Sequence, residues 1–212
     1  MNKELDKLKS FIIEGDIDGT IQSVRTCLDQ GISQETILSD GIVYAMDEVG
    51  KKMQAKEFFI PDVLVSARAV MKAVDIFRSE SLMENIKPIG KVVLATVEGD
   101  IHDIGKNLVK MMMECSRFEV IDLGVDVSTD KIIKAIEEHN PDIVGLSALL
   151  SSTCYQMEQV IEQLVKNNLR NKVKIMVGGA VVTQEYATEI GADAYSPDCV
   201  DAVAQANKLL VS

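Results

Sequence analysis

The segment GDIHDIGKN, residues 99–107, puts His102 two residues after Asp100 and one before Asp103. The chain has two histidines in all, so a base placed between two carboxylates is a candidate for chemistry. Imidazole can serve as a general base, a proton shuttle or a nitrogen ligand to a metal. A metal cage made by protein alone would need more ligands than one histidine and scattered thiols. Cys27, Cys115, Cys154 and Cys199 include no C-x-x-C pair and read as reduced thiols. Cys154 is the one thiol near a candidate site loop, which leaves a Cys-His pair as the other possible use. The second histidine, His139 in EEHNPD, lies near a helix end before Pro141 and reads as structural.

The elements that must carry His102 are a strand and a helix. From Lys91 onward, short apolar runs (KVVLATV, FEVIDLG, DIVGLSAL, VKIMVGG, ADAYS) alternate with amphipathic stretches. The spacing predicts helices over 105–116, 129–139, 154–168, 183–190 and 199–210. Five such units imply a parallel, doubly wound α/β sheet covered on both faces, Rossmann-like and of the flavodoxin-like type. In strand order 2-1-3-4-5 the loops after strands 1, 3 and 4 converge, and ligands bind at that carboxyl edge. Those loops are EGDIHDIG, SALLSSTC and VGGAVVT. They bring together the histidine with its carboxylates, the hydroxyls of Ser147, Ser151, Ser152 and Thr153, and the pair Gly178-Gly179. Each residue alone also fits an ordinary role: Asp103 as a helix cap, Gly105 for close packing, the hydroxyls as caps for a helix from Cys154, the glycines as a strand-end turn.

Residues 1–88 read as a separate helical domain, and 89–212 as the α/β domain. Leu5, Leu8 and Ile12 make one helical stripe, and Ile17, Ile21, Val24 and Leu28 a second. A third follows at Leu38, Ile42, Ala45, Met46, Val49 and Met53, with Ser33 as its cap. A fourth, opened by Pro61, runs through Val63, Ala67, Val70, Met71, Val74 and Phe77. Four helices with short loops suggest a four-helix bundle. SLMENIKPIG, with Pro88 and Gly90, reads as the linker between the halves.

Composition excludes several classes. The formal charge is −11 with no basic stripe, which argues against nucleic-acid binding through phosphates. The opening MNKELDKLKS lacks the apolar core of a signal peptide, and no run nears the ~20 apolar residues of a membrane span. A cytoplasmic location without a membrane partner is expected. No G-x-G-x-x-G follows strand 1 and no G-x-x-x-x-G-K-[ST] occurs, so dinucleotide and P-loop sites are not expected. The first loop also lacks the hydroxyl-rich phosphate cradle of a flavin mononucleotide site.

Asp100-x-His102-x-x-Gly105, Ser147-x-Leu149 and Gly178-Gly179, in this order, resemble the D-x-H-x-x-G, S-x-L and G-G signatures of cobalamin-binding domains. With the helical cap before them, the resemblance covers nearly the whole chain. The chain looks like the corrinoid proteins of methylamine- and methanol-type methyltransferase systems and is similar to the two-domain module of methionine synthase. The resemblance implies a cobalamin or related corrinoid whose nucleotide tail enters the α/β domain while His102 becomes the lower axial ligand of cobalt. Asp100 is then the partner of His102, and Thr153 stands where the family often has serine as the third link. Asp103, Ile104, Gly105, Ser147, Leu149, Ser151, Gly178 and Gly179 match positions around the tail, and Tyr195 to Cys199 close the end of its slot. Met53 and Ile60 match apolar positions over the upper face. Met53 departs from the frequent aromatic residue there, and Ser39 stands where the cap usually has glutamate.

The same resemblance implies a methyl carrier. One substrate-specific methyltransferase would deliver the methyl group, a second methyltransferase would pass it to an acceptor, and a reductive activator would restore the cobalt. The chain would not be catalytic alone. A cobalamin-dependent mutase subunit is the alternative that lacks support from the helical cap. A cobalamin-sensing regulator would need a DNA-binding segment.

Overall fold

A computed structural model describes residues 3–79 and 87–211, and most of the linker expected over SLMENIKPIG lies outside the described residues. The chain divides into two compact units, Met1–Lys87 and Pro88–Ser212.

The first unit is helical: α1 (Lys3–Glu14), α2 (Ile17–Asp29), α3 (Gln34–Thr36), a π-helical segment (Ile37–Val43), α4 (Tyr44–Gln54) and α5 (Ile60–Ser79). Asp16 caps α2 by accepting from the Gly19 amide at 2.9 Å, and the Ser33 hydroxyl accepts from the Thr36 amide at 3.2 Å. α1 buries Leu5, Leu8 and Ile12 as the stripe predicts. α2 is rotated from its expected face: Thr20, Ser23, Val24 and Cys27 are buried, while Ile17, Ile21 and Leu28 are half-buried. The hydroxyls go inside because they bring partners with them. Thr20 donates to the Asp16 carbonyl at 2.6 Å and Ser23 to the Glu4 carbonyl at 3.5 Å. α5 behaves likewise. Met71 is exposed, and Ser66, Ala69 and Ala73 are buried beside Val63, Ala67, Val70 and Phe77. The expected third helix is one helical run from Gln34 to Gln54 interrupted by the π-helical turn; Met53, near its end, is half-buried and not part of the core.

The second unit is a five-stranded parallel sheet in the order β2-β1-β3-β4-β5. Its elements are β1 (Gly90–Thr96), α6 (Ile104–Cys115), β2 (Phe118–Asp122), α7 (Thr129–His139), β3 (Ile143–Ser147), α8 (Tyr155–Lys166), a 3-10 turn (Arg170–Lys172), β4 (Lys174–Gly178), α9 (Gln184–Glu189), β5 (Ala194–Ser196) and α10 (Cys199–Leu210). The strands are nearly continuous apolar runs because helices cover both faces. Val93, Ala95, Val144, Leu146, Ile175 and Val177 pack with the apolar sides of α7 and α8. Their alternating neighbours Val92, Leu94, Ile143 and Met176 are buried too and point to the opposite face. α6 and α10 pack on each other.

The register fixes what stands at the carboxyl edge. Thr96 pairs with Ser147, Ser147 with Gly178, and Gly178 with Ser196. Four small residues therefore form one row across β1, β3, β4 and β5, below the loops that carry the candidate site. No helix among the described residues is long and apolar enough to cross a membrane.

Candidate functional site

Chain leaving β1 turns at once. The Asp100 amide donates to the Val97 carbonyl at 3.1 Å, and the Asp100 side chain drops into the protein with no solvent exposure. Both oxygens of its carboxylate are occupied. Oδ1 accepts from the His102 amide at 3.0 Å and lies 2.7 Å from His102 Nδ1. Oδ2 accepts from the Leu149 amide at 2.8 Å, the Leu150 amide at 3.2 Å and the Thr153 hydroxyl at 2.8 Å. Burial alone would raise the Asp100 pKa. The donors, from the Leu149 and His102 amides, the His102 ring and the Thr153 hydroxyl, outweigh it and hold the carboxyl far below the ordinary range. Asp100 is therefore an anion at neutral pH.

An ionised carboxylate only accepts, so His102 Nδ1 must carry the hydrogen and Nε2 must keep its lone pair when the ring is neutral. The His102 side chain is 46% exposed, which leaves that nitrogen open to a ligand. The backbone is held as well: the buried Thr96 hydroxyl donates to the His102 carbonyl at 3.0 Å. The result is one oriented imidazole nitrogen on a loop held by hydrogen bonds, which suits a single bond to a metal that brings its other ligands. Among the described residues there is no group of three or more His, Cys, Asp or Glu placed to hold a metal ion.

The neighbouring loop is built around the same carboxylate. Thr153 precedes α8, yet its hydroxyl is turned to Asp100 Oδ2 and the Leu150 carbonyl, so it does not cap the helix. Asp103 precedes α6 without a side-chain cap bond; its Oδ2 accepts instead from Asn107 Nδ2 at 2.9 Å. Cys154 does not suit a nucleophile's role, because burial first and the Asp100 charge second raise its thiol pKa. His139 ends α7, on the way into β3, and so belongs to the amino edge of the sheet, away from His102.

Ile104 and Gly105 open α6, with Ile104 78% exposed and open space where a Gly105 Cβ would stand. Close packing within the protein is thus not what asks for glycine at 105. Gly179 is the reverse case. It has φ +123°, and a Cβ there would lie 2.0 Å from the Ala148 carbonyl oxygen; a Cβ at Gly178 would lie 3.0 Å from the Ser196 carbonyl oxygen. The fold itself requires the glycine at 179, whatever approaches from outside.

Leu149 contributes its amide to Asp100 and leaves its side chain partly exposed, as does Leu150. Ser147 ends β3 in the row of small residues, and Ser151 is exposed in the following turn. Tyr195 is in β5 and half-buried. Cys199 begins α10, where burial and then the Asp198 charge push its thiol up to about 11. Met53 and Ile60 belong to the helical unit, Met53 half-buried in α4 and Ile60 exposed at the start of α5.

Sequence reasoning missed three contributors, Thr96, Leu150 and Lys106. Thr96 looks like an ordinary strand residue, and Leu150 acts only through its amide. Ser196, inside the segment Tyr195 to Cys199 that the resemblance marks, is buried with an Oγ that has no hydrogen-bond partner among the described residues. Lys106 follows Gly105 and has only 3% side-chain exposure; its Nζ lies 2.6 Å from Asp122 Oδ1 and 3.1 Å from Asn107 Oδ1. The GKN continuation of the motif was the one available signal for this buried ion pair.

Comparison with known proteins gives the family of both units. Residues 90–204 and residues 4–78 each match a B12 binding domain family. A corrinoid protein of Desulfitobacterium hafniense is 38% identical over 97% of both chains. The trimethylamine corrinoid protein of Methanosarcina barkeri is 37% identical over 99% of this chain and 98% of its own. Among solved structures, a cobalamin-binding protein from Desulfitobacterium hafniense superposes with a TM-score of 0.84 at 31% identity, covering 97% of this chain and 98% of the other. The methanol:cobalamin methyltransferase complex of Methanosarcina barkeri gives 0.86 at 25% identity, covering 100% of this chain and 81% of its own. Matched in both units and along nearly its full length, this chain belongs to the B12-binding family of corrinoid proteins.

Proposed function

We propose that this chain binds a cobalamin or related corrinoid and works as a methyl carrier between two methyltransferases. The observation that carries the reading is the buried Asp100 carboxylate, which fixes Nδ1 of His102 and leaves Nε2 open. The residues present fit such a group. His102 would supply one nitrogen ligand, and among the described residues no atom outside its own stretch of chain comes within 4 Å of where a Gly105 Cβ would stand. Ile101, Ile104, Leu149 and Leu150 offer exposed apolar surface, and Ser196 Oγ, without a hydrogen-bond partner among the described residues, lies in the row of small residues at the carboxyl edge.

When bound, the corrinoid supplies a cobalt centre able to accept and release a methyl group, and the protein supplies ligation, orientation and shielding. Asp100 keeps His102 in the Nδ1–H form and stabilises positive charge drawn onto the ring. Thr153 and the Leu149 and Leu150 amides keep Asp100 ionised and in place. By the family resemblance, Met53 and Ile60 of the helical unit would supply apolar contacts to the corrinoid. Ser147, Ser151, Gly178, Gly179, Tyr195 and Cys199 surround the nucleotide tail, and Asp103 borders it.

The partners are methyltransferases: one that binds the methyl donor and one that serves the acceptor, with a reductive activator to rescue oxidised cobalt. Relatives named for trimethylamine and dimethylamine favour a methylated amine as the donor. The test is to reduce the cobalamin-loaded protein and add trimethylamine, with and without a trimethylamine methyltransferase, following the cobalt absorption spectrum. Methylation that needs the methyltransferase supports the carrier reading. Methylation by trimethylamine alone at the same rate overturns it, as does failure of the purified protein to take up cobalamin.

A further inference from the structure

We propose that Asp126, in the loop after β2, is a positioning residue that sets the orientation of the His102 ring through the main chain of Gly99 and Asp100. This rests on the reading of His102 as the cobalt ligand. The segment after β2 runs alongside the chain that leaves β1: the Thr96 amide donates to the Gly124 carbonyl at 3.0 Å, the Val127 amide to the Thr96 carbonyl at 3.0 Å, and Val97 bridges to Val127. Asp126 sits within this brace at φ +51°, a left-handed conformation uncommon for a residue with a side chain.

That conformation lets one residue hold both ends of the Gly99–Asp100 pair. The Asp126 amide donates to the Asp100 carbonyl at 2.9 Å, and Asp126 Oδ1 accepts from the Gly99 amide at 2.7 Å. The main chain of residues 99 and 100 is therefore held by Asp126 while the Asp100 carboxylate is held by Leu149, Leu150 and Thr153. With the Asp100 carboxylate pinned on Oδ2, any turn of its backbone changes the distance from Oδ1 to His102 Nδ1. Among the hydrogen bonds of the described residues, the Asp126 side chain meets neither the Asp100 carboxylate nor the imidazole; it acts through the main chain.

Three variants separate the backbone requirement from the side-chain bond. Asp126→Gly keeps the left-handed conformation and removes the acceptor. Asp126→Asn keeps both, because asparagine tolerates that conformation and its amide oxygen can accept from Gly99. Asp126→Ser shortens the acceptor and replaces the glycine variant if that one does not fold. The first readout needs no corrinoid: nitrogen NMR of the His102 ring in the full apoprotein at pH 8 gives the fraction in the Nδ1–H form. The proposal expects that fraction to fall in Asp126→Gly and to match wild type in Asp126→Asn. The second readout is cobalamin affinity with histidine coordination by cobalt(II) EPR. It should drop about tenfold in Asp126→Gly, the lower end for groups that orient a metal-binding histidine, and be rescued by asparagine. Equal ring tautomers in wild type and Asp126→Gly overturn the proposal, as does an asparagine variant as impaired as the glycine one. A wild-type holoprotein without protein nitrogen on cobalt would sink the ligation reading instead, and the apoprotein NMR would still decide the role of Asp126.

Discussion

His102 Nδ1 lies 2.7 Å from Oδ1 of Asp100, a carboxylate without solvent exposure. A half-exposed ring is thereby tied to a fully buried anion, and the tie decides which ring nitrogen is available. Since both Asp100 oxygens only accept, replacing one by an amide group must place a donor against donors. Asp100→Asn should weaken corrinoid binding or methyl transfer by about 10–100-fold, the usual effect of losing the partner of a metal-binding histidine. It should also cost about 1–3 kcal/mol of stability, since a buried polar group is left mispaired. Cobalamin titration and chemical denaturation of the same variant measure the two effects. Wild-type affinity in a folded variant would remove Asp100 from its role.

Two glycines of the site should respond in opposite ways. Gly105 has open space where a Cβ would stand, so Gly105→Ala should fold normally and gain up to about 1 kcal/mol from helix propensity. The added methyl group would occupy space assigned to the corrinoid, so binding should weaken. Gly179→Ala meets the Ala148 carbonyl at a positive φ and should lose about 3 kcal/mol or more, since such backbone strain alone costs of order 1–3 kcal/mol. Denaturation curves beside cobalamin titrations would show this crossing of effects. Unchanged binding by Gly105→Ala would mean that the corrinoid does not use that space.

Lys106 and Asp122 tie α6 to the end of β2 beside the histidine loop. Lys106→Met leaves Asp122 with the Gly124 amide at 3.0 Å and the more distant Lys110 at 3.6 Å. The loss should be about 2–3 kcal/mol, below the ~3–5 kcal/mol for stranding one member of a fully buried pair. Burial pushes the Asp122 pKa up, but Lys106, the Gly124 amide and Lys110 together hold it below the ordinary value. A depressed carboxylate contributes stability that is complete above its unfolded pKa of about 3.9 and is lost as pH falls through its folded value. Wild type should therefore lose more stability than Lys106→Met on acidification below about pH 4. Parallel stability curves for the two proteins would contradict the assigned pairing.

Much of this arrangement is legible in the sequence because parallel strands buried on both faces announce themselves as short apolar runs. Once the strand order is assumed, the loops with His102, Thr153 and Gly179 must meet at one edge. Helix boundaries in the α/β unit fall within about two residues of the observed ones, since each has a clear amphipathic period. The burial of Thr20 and Ser23 in α2 is not legible, because a hydroxyl satisfied by a backbone carbonyl mimics an apolar side chain only after folding. The same reason hides Thr96, Asp126 and the Lys106–Asp122 pair: their value lies in partners brought close by the sheet. Thr153 could be singled out by resemblance, but its choice of Asp100 over helix capping could be read only from the structure.

The central claim is that His102 provides the lower nitrogen ligand of the bound corrinoid's cobalt. The most direct measurement is EPR of the cobalt(II) holoprotein, comparing wild type grown with nitrogen-14 or nitrogen-15 histidine and the His102→Ala variant, all loaded with unlabelled cobalamin. Hyperfine splitting that follows the histidine isotope in wild type and is lost in His102→Ala is the result expected. Splitting that ignores the histidine label, or persists unchanged in His102→Ala, would contradict the account.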